Sequence, residues 1–265
     1  AAEPDGRQRG VAQETDHRGI HDIQQVLRYH PADDGQRQHE YALPAIGTDA
    51  KVYCSFPFSN GYMQMTWIAT ISYEEAKGAL KKLYERVKGP DNNVDNIMLA
   101  HSLRPHTMEG HMALYKYVLH HPRNQLPKSY LESIGVYVSI LNRCRYCIDH
   151  HYAGLLRLLG DDARGTAIRA ALDAQDPAAA FEGRELEGMQ YVGKLTTTPA
   201  EITAGDIEAL RTAGFDDGEI LEINQVTAYF AYANRTVLGL GIDTDGDIIG
   251  LSPGDSSDPD NWSHR

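Results

Sequence analysis

The sequence predicts an all-α fold. Apolar residues recur at helical spacing from about Thr66 onward, and Gly and Pro punctuate that region as helix stops. Strand-like and helix-like stretches do not alternate, which excludes a Rossmann or thioredoxin-type sandwich.

The elements follow in order. "SYEEAKGALKKLYERVKG" opens with Ser72 as N-cap and Glu75 three residues on, a capping box, and ends at Gly89-Pro90. "VDNIMLAHSLRP" and "HTMEGHMALYKYVLHHP" come next, the second stopped by Pro122. A helix after Pro127 carries Leu131, Ile134, Val138 and Leu141 on one face and ends at Asn142. "CRYCIDHHYAGLLRLLG" forms the next, closed by Gly160. Helical text continues through "DDARGTAIRAALDA", "FEGRELEGMQYVGKLTTTP" and "TAGDIEALRTAG" to the long "DDGEILEINQVTAYFAYANRTVLGLG".

Three regions are delimited. Residues 1–64 are polar and largely aperiodic, apart from a short helix expected around Ile20–Leu27 and a strand expected at 51–58; they form an extension to which no chemistry attaches. Residues 65–252 form the helical domain, and 253–265 a polar, turn-rich tail. The net charge of −12 repels nucleic-acid phosphates and anionic lipid, so neither partner is expected. No apolar run reaches the ~20 residues of a membrane span, and no signal peptide is evident. Three cysteines do not make a secreted disulfide framework, and Cys54 reads as a small apolar residue. A cytoplasmic location is expected.

The chemistry concentrates in "LNRCRYCIDHHYAGLL". On a helix, Cys144, Cys147 and His151 fall at i, i+3 and i+7 on one stripe. Cys144 lies near the helix amino terminus, where unpaired N–H groups favour a thiolate. His151, one turn beyond Cys147, is placed to exchange a proton with it. Zinc is the rival reading, with Cys144, Cys147 and His150 or His151 as ligands, but no second ligand pair with zinc spacing accompanies them. Two buried structural thiols are the plainer alternative. His150, His120, His121, His101, His106 and His111 read as surface or rim residues, although "HSLRPHTMEGH" could line an entrance. Glu132 has meaning only together with the cysteines.

Glu132, eleven intervening residues, Cys144-Arg-Tyr-Cys147, three more residues and His151 resemble the signature of the AhpD-like alkylhydroperoxidases of the carboxymuconolactone decarboxylase superfamily. The flanking text resembles the subgroup called peroxidase-related enzymes, over roughly residues 66–252 and not over 1–64. The resemblance implies a helical fold, a homo-oligomer and a dithiol that reduces hydroperoxides. It implies Cys147 as the thiol attacking peroxide and Cys144 as the one resolving the sulfenic acid to a disulfide. Glu132 and His151 would form the proton relay. No cofactor is expected, since no haem or flavin motif occurs, and electrons would come from an external dithiol, a lipoyl or thioredoxin-like protein. The helix dipole alone favours Cys144 as nucleophile; the resemblance and His151 at i+4 favour Cys147, the assignment taken here. Where the family's best-studied members place His before the second cysteine, this chain has Tyr146, a phenol able to donate a hydrogen bond but not to act as a base near neutrality.

Two alternatives compete with the peroxidase reading. One is a decarboxylase-type enzyme acting on lactone acids, which needs no C-x-x-C. The other is a non-catalytic redox-sensing or zinc-stabilised helical oligomer. An internal similarity also relates 131–144 to 221–234, with Glu132 and Glu222 each twelve residues before Cys144 and Asn234. In that register Asn234, Val237 and Gly241 replace Cys144, Cys147 and His151, so the second unit is expected to hold scaffold and no thiol chemistry.

Overall fold

The computed structural model describes residues 65–253, 258 and 261–264. The extension at 1–64, with the helix and strand expected in it and Cys54, lies outside the described residues. The described residues are helical: α1 (Gly78–Val87), α2 (Asn96–Ala100), α3 (Pro105–Leu119), α4 (Lys128–Leu141), α5 (Arg145–Leu159), α6 (Asp162–Asp173), α7 (Gly183–Thr197), α8 (Ala204–Thr212) and α9 (Asp217–Leu240), with two single 3₁₀ turns flanking α7. Among the described residues there is no strand, only an isolated bridge between Pro253 and His264. None of the helices is long and apolar enough to cross a membrane.

The capping box at Ser72 forms, with Ser72 N–H donating to Glu75 and Glu75 N–H to Ser72 Oγ, both at 3.2 Å. It caps only a single turn. Gly78 takes φ +58° and breaks the path, so the helix proper starts five residues later than the capping box predicts. The other stops match the punctuation: Gly160 and Gly241 both take left-handed conformations after α5 and α9.

Helix α4 is the axis of the domain. Residues 130–139 are buried all round, and the helix packs against α3, α5, α6, α7 and α9. Its closest neighbour across the core is α9, through Gly135. A Cβ there would stand 2.3 Å from the Phe230 ring. Ile223, Val226 and Phe230 of α9 are buried, and Leu238 is exposed. Glu222 accepts the Gln125 and Leu126 N–H groups at 2.8 and 3.0 Å and so pins the loop that leads into α4.

The described residues of the tail pack on the core. Trp262 and His264 are buried, Arg86 stacks on the Trp262 ring at 3.8 Å, and His264 Nδ1 lies 2.8 Å from the Val87 carbonyl. We expect Gly135→Ala to destabilise the domain by about 1–3 kcal/mol, because Phe230 must move in a filled core. Urea denaturation monitored by circular dichroism measures it; an unchanged midpoint would contradict the close approach of α4 and α9.

Candidate active site

The joint between α4 and α5 builds the site. Arg143 N–H donates to the Ile140 carbonyl and Cys144 N–H to the Ser139 carbonyl, at 2.9 and 2.8 Å, with Arg143 left-handed at φ +58°. This is a Schellman stop with arginine where glycine is usual. Cys144 thereby closes α4 and also serves as N-cap of α5. Cys147 sits in the first turn, and its backbone N–H donates to the Cys144 sulfur. Both cysteines are free thiols and both are buried.

One turn on, His151 Nδ1 lies 2.8 Å from Glu132 Oε2, joining α5 to α4. Burial raises the Glu132 carboxyl, but the charge and hydrogen bond of His151, with His120 and Arg157 behind them, outweigh this and hold it below the usual carboxylate range. An ionised carboxylate only accepts, so Nδ1 carries a proton and donates it, and Nε2 is the ring nitrogen turned away from the carboxylate. The Phe230 ring meets the imidazole edge-on at 4.5 Å and Tyr115 does so at 5.9 Å, fixing its plane. Glu132, Cys147 and His151 line one small cavity, about 40 Å³, room for a few water-sized groups. Cys144 is fully buried and does not line it.

The two thiols differ. Hydrogen bonding with Cys147 pulls Cys144 below the ordinary thiol range, against burial and with help from Asn234. The same bond, with Cys147 as donor, and burial hold Cys147 well above it. The first proton lost by the pair therefore leaves a thiolate at Cys144, in line with the helix-dipole argument, while Cys147 is the sulfur that opens to the cavity.

Asn234 corrects the expectation drawn from the internal similarity. It is fully buried; its amide donates to Ser139 Oγ and accepts from Asn142, both at 3.0 Å, and it also reaches both thiols. Residues 217–240 form one unbroken helix, so the register that aligned Asn234 with Cys144 equates a straight helix with a bent joint. The position aligned with a cysteine lies beside the cysteines.

The histidines also need correction. His111, His120 and His150 are buried, not at the surface, whereas His106 is exposed. His111 lines the cavity, with Nε2 3.3 Å from the Tyr229 hydroxyl. Tyr146 donates to Asp247 at 2.7 Å, accepts from Ile97 N–H at 3.3 Å and stacks on His150 at 4.5 Å. Asp247 and residues 250–252 follow α9 at the end of the domain and His264 belongs to the turn-rich tail, and His264 and 250–252 line the cavity. Arg157 holds that wall, donating to the Gly250 carbonyl and, at 2.9 Å, to Ser252 Oγ. Among the described residues, no group of three or more His, Cys, Asp and Glu is arranged to hold a metal ion.

Two measurements follow. Asn234→Ala removes a hydrogen bond that lowers both thiols, so the first thiol ionisation is expected to move to higher pH; ultraviolet thiolate absorbance across a titration reads it, and an unmoved curve would remove Asn234 from the site. Burial holds His111 and His120 at about 3 and His264 at about 4. Folded values below the unfolded 6.5 mean that stability is full above pH 6.5 and is lost as pH falls toward 4 and 3. Asp95, raised to about 7 by burial and Asp247, acts in the opposite sense over the same window, but it is one group against three. Urea midpoints at fixed ionic strength should therefore fall from pH 7 to pH 4.

Residues 105–185, from α3 into α7, match the model of the Carboxymuconolactone decarboxylase family, and this span contains Glu132, Cys144, Cys147 and His151. No match was found among curated proteins. Among solved structures, one similar chain is an uncharacterized peroxidase-related protein from Silicibacter sp. TM1040, with 29% identity over 58% of this chain and 78% of that one and a TM-score of 0.53. Another is an alkylhydroperoxidase AhpD core, an uncharacterized peroxidase-related protein from Ralstonia eutropha JMP134. It shows 21% identity, 70% and 95% coverage and a TM-score of 0.60, a likeness of fold.

Proposed function

We infer that this chain, an AhpD-like member of the carboxymuconolactone decarboxylase superfamily, is a cofactor-free peroxidase that reduces hydroperoxides through a Cys144/Cys147 dithiol–disulfide cycle. The observation that carries the reading is the shared cavity: Cys147 opens into it beside a histidine whose Nδ1–H is locked on a buried carboxylate.

The cycle runs in two steps. Cys147 must first lose its proton, and two acceptors are at hand, the thiolate of Cys144 and Nε2 of His151. The Cys147 thiolate then attacks the terminal peroxide oxygen; the O–O bond breaks, and sulfenic acid and alcohol result. Cys144, the thiol held low, attacks the Cys147 sulfur, a disulfide forms and water leaves. The division fits the burial: the sulfur that meets peroxide faces the cavity, and the sulfur that waits behind it is shielded. An external dithiol, lipoyl or thioredoxin-like, reopens the disulfide, and the protein works as a homo-oligomer. The cavity wall carries the ionised Glu132, which disfavours a lactone acid as substrate and so the decarboxylase alternative.

Peroxide consumption with a dithiol donor tests this. Cys147→Ser should abolish it, while Cys144→Ser should leave a sulfenic acid on Cys147 that dimedone traps. Glu132→Gln and His151→Ala should each slow thiol oxidation by about 10²- to 10⁴-fold at neutral pH, with partial recovery at higher pH. Trapping on Cys144 instead would reverse the assignment of the two sulfurs.

A further inference from the structure

A second buried acid stands in the cavity wall without a structural task. Asp95 precedes α2 and is 8% exposed, yet its side chain makes no capping hydrogen bond. Its Oδ1 is buried and has no partner, and its Oδ2 lies 3.8 Å from His264 Nε2, too far for a hydrogen bond. It lines the same cavity as Cys147. Its neighbour Asp247 is fully engaged, with Oδ1 accepting Asn96 N–H at 2.9 Å and Oδ2 accepting the Tyr146 hydroxyl at 2.7 Å. A buried carboxylate oxygen without a donor is costly as an anion and comfortable as an acid. Burial and the charge of Asp247, partly countered by His150, push its pKa up to about 7, so it holds a proton over much of the neutral range.

Peroxide reduction needs such a proton. The oxygen expelled from an alkyl hydroperoxide departs as a strongly basic alkoxide unless it is protonated as the O–O bond breaks. Displacement at oxygen is in line, so the leaving oxygen lies on the side of the peroxide remote from Cys147 and its base. His151 and Glu132 come from α5 and α4; Asp95 enters from a separate segment.

We propose that Asp95 is the general acid of the reaction, giving its proton to the oxygen that leaves when Cys147 cleaves the peroxide. In balance, the Cys147 thiolate, the hydroperoxide and the Asp95 acid become the Cys147 sulfenic acid, the alcohol and the Asp95 carboxylate; sulfur is oxidised by two electrons and the peroxide reduced by two. Asp95 is reprotonated from solvent before the next turnover. The assignment rests on the peroxidase reading above.

The test compares leaving groups. Single-turnover oxidation of the reduced full-length chain is followed for the wild type and Asp95→Asn, with tert-butyl hydroperoxide and with peracetic acid, whose leaving carboxylate needs no proton. Asp95→Asn should slow the alkyl hydroperoxide by about a hundredfold or more and leave the peroxy acid nearly unchanged. A purely structural role would slow both alike, and that result, or no slowing of either, overturns the proposal. A second measurement needs no variant: across a series of hydroperoxides, the wild-type rate should depend only weakly on leaving-group basicity, and a steep dependence would also overturn it. A wild-type dithiol oxidised by neither oxidant would sink the peroxidase reading itself, and the assignment of Asp95 with it.

Discussion

The joint at Arg143 is the constraint from which the site follows. A left-handed non-glycine residue is disfavoured by about 1–2 kcal/mol, yet the chain accepts it there, and the two Schellman bonds to Ile140 and Ser139 hold it in place. Because the turn that closes α4 ends on Cys144 and Cys144 is also the N-cap of α5, only residues 142–144 separate the two helices. That geometry lets a glutamate twelve residues before the joint meet a histidine seven residues after it. A longer connection would loosen both the thiol pair and the Glu132–His151 contact, which are fixed by one turn.

The Glu132–His151 pair is a poor stabiliser. Removing two ionisable groups from water costs several kcal/mol per charge, and pairing returns that only with good geometry and satisfied lone pairs. Around it the core is shaped to fit: Gly135 admits Phe230, and Phe230 and Tyr115 present their edges to the imidazole. An apolar pair of similar volume would fill the space at no loss of stability. It stands at the wall of a cavity into which a thiol also opens.

What could be read from the sequence was what short-range periodicity encodes. Cys144, Cys147 and His151 share a stripe because a helix repeats every 3.6 residues, and that spacing is local. Glu132 required the further fact that two helices meet at a sharp joint, visible only through a resemblance. Asn234, Asp95, Asp247 and His264 were not legible at all. They join the site from about 50 to more than 100 residues away in the chain, and each residue type is common at surfaces. The buried histidines failed for the same reason: His111 and His120 sit on a helix whose faces are nearly equal in polarity, so the pattern gave no inward side. At α1 the capping box was real, but one glycine in a left-handed conformation outranked it.

Tyr146 connects these levels. In a C-x-x-C on a helix, the residue before the second cysteine points about 100° away from the thiol stripe. Here its phenol reaches Ile97 N–H and Asp247, and so ties α5 to the amino end of α2 and to the segment after α9. A histidine at this position would bring a base; tyrosine brings a donor, and the donor satisfies Asp247. With Asp247 satisfied as an anion, its charge falls on the neighbouring Asp95, which has no donor of its own and retains its proton instead. The phenol thus satisfies one acid, and the acid left without a donor, Asp95, stands in the wall of the cavity into which Cys147 opens.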